Sequence, residues 1–440
     1  MTQRPTGVDV GRIRTKPPGP KSRELTRRLQ EVECREVTFV GPNAPIFLAG
    51  GTGANLVDVD DNVYVDLTAA FAVASVGHSD LSVVGAVVRQ AETLLHGMGD
   101  VYPTTGKVEL AEALCDVAPG NRPKRVIFAA SGAEAVEAAL KTAMVASGKP
   151  GVVAFDGAYH GLTYGALALT DGDHFRKPFL AQLGGFVRRA PFPRGDAAGL
   201  QRVEEILDGP AGVEVGSVIV EPILGRGGTI PAPDGWLAGL RALCERKGLI
   251  LILDEIFTGF GRTGRWFACE HAEVVPDLLC VGKGMAGGFP IAACIGSAEL
   301  MDRWPASTGE AVHTSTFIGN PTGCAAALAC IEQIRQLRLV ERAAKLGERL
   351  APMLDDVRRA SRGRIGDVRG RGLMWGLECV DAAGEPDARF AQQVVAGALE
   401  RGVIVLTGGL RSNIIQINPP LVISDEQLAF GVRAIREAIT

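Results

Sequence analysis

Between residues 81 and 281 the chain repeats one pattern. A short apolar run bounded by Gly, Asp or Pro is followed by a stretch with helical spacing. The runs are Arg125–Ala129, Gly151–Phe155, Ser217–Val220, Leu249–Leu253 and Leu278–Val281. Helical stretches include Leu81–Leu95, Val108–Val117 and Ala133–Ala146. Runs so short and apolar have no polar face for water, so they predict strands buried on both sides; intervening helices predict parallel order. The fold class expected is α/β, with a large domain at residues 70–325 holding a mostly parallel central sheet. A smaller α+β domain is expected from both termini: an N-terminal arm and part of that domain in 1–69, and the rest in 326–440. In the smaller domain, Asn55–Asp66 alternates apolar and polar residues about an acidic turn and predicts a hairpin. Short strands are expected within 368–378, 402–406 and 414–417, and helices at Asn320–Leu337 and Val340–Arg359. The first 25 residues are basic, Pro-rich and aperiodic, and predict a flexible or draped arm.

Composition narrows the function. The chain has 440 residues with 46 basic and 50 acidic side chains, a net charge of −4. That balance offers no basic excess for a phosphate backbone, which argues against a nucleic-acid partner. The nine cysteines, at 34, 115, 244, 269, 280, 294, 324, 330 and 379, form no CxxC and no paired spacing. They read as reduced cysteines of a cytoplasmic protein, with no metal site. The N-terminus lacks the apolar core of a secretory signal. The longest stretch without Asp, Glu, Lys or Arg, Ala311–Ile331, contains His, Thr, Ser, Asn and Pro and is no membrane span.

Four motifs fall at strand ends. Asp254 closes the run LILILD, and in open α/β sheets ligands bind beyond the carboxyl ends of strands. Twenty-nine positions on, Lys283 stands between two glycines after the run Leu278–Val281. Taken alone, each reads as a capping carboxylate or a loop lysine. Together they are the pair that pyridoxal phosphate needs: a lysine to form a Schiff base with the aldehyde, and a carboxylate to keep the pyridine nitrogen protonated. Ser131, Gly132 and Ala133 open a helix after Arg125–Ala129. Ser131 with Glu134 reads as a capping box, and Gly132 lets backbone N–H groups approach an anion at the helix end. Tyr159, in FDGAYHG, sits next to a strand end where an aromatic ring can stack on a flat cofactor.

The ordered set SGAEAVEAALK, FDGAYHG, LDEIFTGFGRTG, VGKGMAGGFP and HTSTFIGNP resembles the class III (ω-type) aminotransferases, pyridoxal-phosphate enzymes of fold type I. The resemblance runs from about residue 40 to the C-terminus. The start PPGPKS resembles the branch that holds 4-aminobutyrate aminotransferases and related amino-acid racemases. The family pattern implies that Lys283 is the Schiff-base lysine and proton shuttle, and that Asp254 bonds the pyridine nitrogen. It implies that Ile256 and Tyr159 cover the two faces of the ring, and that Ser131, Gly132 and Ala133 bind phosphate. It further implies that Thr316 reaches the phosphate of a neighbouring subunit in a homodimer or dimer of dimers. Glu221 would support the ring-binding network, and Phe71 would shape the substrate pocket. The activity implied is transfer of an amino group between an amino acid or amine and a keto acid. The alternative is racemisation or epimerisation of an amino acid on the same scaffold. A third reading, a non-catalytic binding protein, sits poorly with intact Lys283, Asp254 and Tyr159.

Three positions depart from the family pattern. Phe257 replaces the usual Gln, Arg226 stands where a Glu is common, and Gln416 replaces the Arg that usually holds a substrate carboxylate. In the family that Glu and Arg form a switchable ion pair; here both are gone and a positive charge stands where the negative one was. Either the pocket has drifted, or the carboxylate site has moved to Arg226, or the substrate has a different anchor.

Overall fold

The computed structural model describes residues 7–41, 45–194 and 198–440. Its centre is a seven-stranded sheet of β1 (Lys124–Ala129), β2 (Gly151–Phe155), β3 (Val187–Ala190), β4 (Val215–Val220), β5 (Ile250–Asp254), β6 (Leu278–Val281) and β7 (Ala292–Ser297). The strand order is β1-β7-β6-β5-β4-β2-β3. β6, β5, β4, β2 and β3 pair in parallel, while β7 is antiparallel to both β1 and β6. Two core clusters cover the sheet. Leu251 and Leu253 of β5 face one, and Ile250 and Ile252 face the other, the two-residue alternation of a strand buried on both sides.

Two strands lie outside the expected runs. β3 reads VRRA and is half-buried at the sheet edge, so it carries no apolar run. β7 reads AACIGS, small residues with weak strand preference, and is specified by burial between β1 and β6.

Strands from both ends of the chain share a second sheet. Asn55–Asp58 and Val63–Asp66 form the expected hairpin, and Val403–Ile404 joins its edge in parallel, Val403 opposite Val65. A third sheet is antiparallel throughout: Ile365–Arg371, Met374–Cys379, Ile414–Ile417 and Leu406–Gly408. The start of the chain is more regular than its composition suggests. Arg12 exchanges backbone hydrogen bonds with Val63, and a helix runs from Pro20 to Val32. Its first turn is capped from a distance. Lys21 N and Ser22 N donate to the Asp60 carboxylate at 2.9 and 3.0 Å, as does Ser22 Oγ at 2.7 Å. A cap that remote leaves no local signal in the sequence.

Candidate active site

The carboxyl ends of β1, β2, β4, β5 and β6 converge on one region, where the motif residues meet. Asp254, the last residue of β5, is 4% exposed. Its Oδ2 lies 2.7 Å from His160 Nδ1, and its Oδ1 accepts the Ile256 amide at 3.1 Å. His160 is itself buried, and its Nε2 has no partner among the described residues. Sequence reasoning did not assign His160 to the site. It stands beside Tyr159, but its contact with Asp254 spans 94 positions and leaves no spacing to read.

Glu221, just past β4, is buried and accepts two backbone N–H groups, Tyr159 and Gly225, each at 2.9 Å. Burial pushes its carboxyl up to about 7, against the opposing pull of His160. It fastens the β2 turn, which carries Tyr159, to the loop after β4, which carries Arg226.

Lys283 begins a short 3₁₀ turn after β6 and is half-buried, with φ at +35°. Its Nζ lies 4.3 Å from the centre of the Phe257 ring. Burial lowers the ammonium to about 8, while the Asp254 and Glu221 carboxylates resist that shift. A lysine held this way reaches its free-base, nucleophilic form near neutral pH.

Gly132 opens the helix Gly132–Ser147, and the Ser131 side chain accepts the Glu134 amide at 3.3 Å. The capping box is displaced: the Glu134 carboxylate takes the Ala130 N–H at 2.8 Å instead of that of Ser131. The first N–H groups of a helix have no intrahelical acceptor, and here they stand beside Ile256. A Cβ on Gly132 would come within 2.9 Å of the Ile256 side chain, and one on Gly161 within 2.6 Å of the Ala133 Cβ. Only glycine permits that approach, so phosphate-cup candidates, ring-face candidate and β2 turn form one wall.

Phe71 lies on a turn with no sequence signature. Ala69, Ala70, Phe71 and Ala72 all have positive φ, a left-handed turn without glycine, which costs about 1–2 kcal/mol per residue. The buried Asp66 holds it: its carboxylate accepts Thr68 N at 2.7 Å, Thr68 Oγ1 at 2.6 Å and Ala70 N at 3.2 Å, and pairs with His78 Nε2 at 2.7 Å. The turn packs against the Lys283–Met285 turn and leaves Phe71 largely exposed.

Arg226 is exposed, and among the described residues no carboxylate lies within ion-pair distance of it. Its guanidinium carbon lies 5.1 Å from the centre of the Tyr159 ring and 4.9 Å from that of Phe175. The two rings meet edge-on at 5.6 Å. Gln416 turns its amide to the Arg226 loop, with Nε2 donating to Gly225 O at 2.7 Å and to Thr229 Oγ1 at 3.2 Å. Thr316 is exposed on the loop before the helix Pro321–Gln336, and among the described residues no hydrogen bond joins it to Ser131, Gly132 or Ala133.

The chain matches the family model for Aminotransferase class-III over residues 40–439. This chain belongs to the class III aminotransferases. It is 40% identical to the 4-aminobutyrate aminotransferase of Mycobacterium leprae over 97% of its length and 98% of that protein. It is 38% identical to the 5-aminovalerate aminotransferase of Pseudomonas putida, over 90% of this chain and 94% of that one. An alanine/serine racemase of Pyrococcus horikoshii is 34% identical over 98% of this chain and 93% of its own. Among solved structures, the ornithine aminotransferase of Toxoplasma gondii, described with pyridoxal phosphate at its active site, superposes with a TM-score of 0.83. The identity there is 29%, covering 95% of this chain and 94% of that one. A transaminase from the marine bacterium Virgibacillus gives a TM-score of 0.87 at 26% identity, over 94% and 98%. The fold is that of the fold-type I transaminases, the cofactor is pyridoxal 5′-phosphate, and the reaction is amino transfer between an amino donor and a keto acid.

The site fits that cofactor by its own chemistry. Asp254 supplies a carboxylate with acceptor capacity left after His160 and Ile256, suited to a pyridinium N–H. Gly132 lets the helix start pack directly on Ile256, with no Cβ between them, at a helix end suited to phosphate. Lys283 supplies an amine easily freed of its proton.

Proposed function

We propose that Lys283 holds the cofactor and carries the proton in amino transfer, with an ω-amino acid as donor and a keto acid as acceptor. The observation that carries the assignment is the meeting of Lys283 and Asp254 at the ends of adjacent strands, with Asp254 oriented by a buried histidine. When bound, pyridoxal phosphate supplies an electron sink for the carbanion formed at the amine-bearing carbon. The protein's residues do the rest. Asp254 would hold the ring nitrogen's N–H with its buried carboxylate, a charge-assisted hydrogen bond that keeps the nitrogen protonated. His160 fixes the carboxylate's orientation. Ser131, Gly132 and Ala133 would hold the phosphate with backbone N–H groups, and Ile256 and Tyr159 would cover the ring faces. Lys283 would carry the proton to and from the amine-bearing carbon, a task its lowered proton affinity suits near neutral pH. Phe71 would border the substrate space, and Arg226 would meet a substrate carboxylate. Gln416 serves that space from behind by holding the loop.

The donor class rests on the 4-aminobutyrate and 5-aminovalerate relatives. We also propose a homodimer in which Thr316 reaches the partner's phosphate site. Leu95, Met98, Val101, Tyr102 and Phe317 are all exposed around the Thr316 loop, an apolar surface suited to a second copy. The cytoplasm is the proposed compartment, in keeping with nine free cysteines.

The test is to incubate the holoenzyme with 4-aminobutyrate, 5-aminovalerate, alanine and serine singly, with and without 2-oxoglutarate. The cofactor's visible band should fade with an ω-amino acid and recover on adding 2-oxoglutarate, with glutamate formed. Inversion of alanine or serine without a keto acid, and no fading with either ω-amino acid, would overturn the reading.

A further inference from the structure

We infer that Tyr159 and Phe175 hold Arg226 as a fixed anchor for a carboxylate remote from the transferred nitrogen, so that the site selects ω-amino acids over plain amines. The inference rests on the aminotransferase reading and adds the specificity device. Its positioning residue, Phe175, belongs to none of the sequence motifs and sits in the short turn Asp173–Arg176.

Four observations support it. First, the guanidinium contacts two ring systems at 5.1 and 4.9 Å and no carboxylate among the described residues. Rings restrain a guanidinium without neutralising it, so its forked N–H donors stay free for a carboxylate. Second, the nearby Glu221 carboxylate is held by the Tyr159 and Gly225 N–H groups, and no ion pair joins it to Arg226 among the described residues. Third, the loop is braced on two sides. Gln416 Nε2 binds Gly225 O and Thr229 Oγ1, and Arg226 O accepts the Gly409 N–H at 2.8 Å. The side chain at 416 is thereby committed to the scaffold and offers no competing cation. Fourth, the lysine amine rests on Phe257 while the guanidinium rests on Tyr159 and Phe175. The amine and the guanidinium are thus each backed by aromatic surface. The Gln-to-Phe change at 257 and the Glu-to-Arg change at 226 then serve one purpose. A switchable ion pair accommodates substrates with and without a charge at that end; an anchor with no acid to close onto does not.

The experiment compares three probes of equal carbon number on the holoenzyme: 5-aminovalerate, pentylamine and 2-aminovalerate. Cofactor conversion is followed by its visible band. Valerate, which lacks an amine, is titrated separately by calorimetry. The wild type should favour 5-aminovalerate over both other amines by about a hundredfold in kcat/KM, the scale of two charge-assisted hydrogen bonds. Arg226→Gln should raise KM for 5-aminovalerate at least about tenfold, weaken valerate binding alike, and lower the preference for 5-aminovalerate over pentylamine at least about tenfold. Phe175→Leu should give a shift in the same direction of about threefold, and Phe175→Tyr should restore the wild-type ratio, a rescue that a packing role without a ring would not require. Equal preference for 5-aminovalerate and pentylamine in the wild type and Arg226→Gln would overturn the anchor. A preference for 2-aminovalerate that Arg226→Gln abolishes would overturn the remote placement. If no amine is converted, the aminotransferase reading fails first, and valerate still decides the anchor. Tenfold weaker binding in Arg226→Gln supports it, and equal or absent binding in both proteins overturns it.

Discussion

Asp254 and Arg226 are charged groups of one site, and they are held in opposite ways. Asp254 ends a strand in which every residue is buried, and hydrogen bonds from His160 and Ile256 reach both its oxygens. Arg226 stands exposed on a loop, against two aromatic rings and without a carboxylate among the described residues. The first arrangement suits an invariant task, holding one proton on one ring nitrogen. The second suits a variable task, meeting whichever substrate enters. Buried, mutually bonded groups tolerate little change, because a lost partner leaves another polar group unpaired. An exposed residue resting on rings can be exchanged at small structural cost, and of the three departures from the family pattern Arg226 is held this way, whereas Gln416 is a strand residue bonded to its loop and Phe257 backs Lys283.

Substitutions should separate the two sides. Lys283→Ala should give the largest effect, lowering turnover by at least about a thousandfold and removing the bound cofactor's visible band while the fold persists by circular dichroism. Asp254→Asn keeps shape but removes charge, and should cost about a hundredfold or more in kcat, read in the half-reaction with a saturating donor. His160→Ala should cost less, about tenfold in kcat with KM little changed, because it only orients Asp254. A loss in Asp254→Asn no greater than in Arg226→Gln would break the division between the sides. A gentler probe is pH. Burial disfavours the Lys283 ammonium, so its free base becomes available at lower pH than for an exposed lysine. Cofactor loading by the apo protein should therefore rise with pH and level off through an inflection near 8. An inflection above 10 would show an unburied amine.

The two sides were also unequally legible in the sequence. Lys283 and Asp254 could be placed because each ends an apolar run, and strand ends are where an open α/β sheet binds ligands. The run LILILD declares a strand buried on both faces, and the structure agrees. The strand Ala292–Ser297 escaped because alanine, cysteine and glycine carry no strand signature and its place is set by its neighbours. The left-handed turn at Ala69–Ala72 escaped for the converse reason. Glycine usually marks such backbone, and here Asp66 holds four other residues in it. His160 and Phe175 act through contacts across long stretches of chain, His160 to Asp254 over 94 positions, which no local pattern encodes. The loss of the usual ion-pair residues could be read from the motifs, but the rings that hold Arg226 in place could not.

Whether Lys283 carries the cofactor is decided by covalent mapping. Holoenzyme is reduced with borohydride, which fixes the cofactor to the amine that bears it, and is then digested and sequenced by mass spectrometry. A single phosphopyridoxyl group is expected, on Lys283, in wild type and in Arg226→Gln alike. A label on another lysine, or none on Lys283 in a protein that turns over donor, would contradict it.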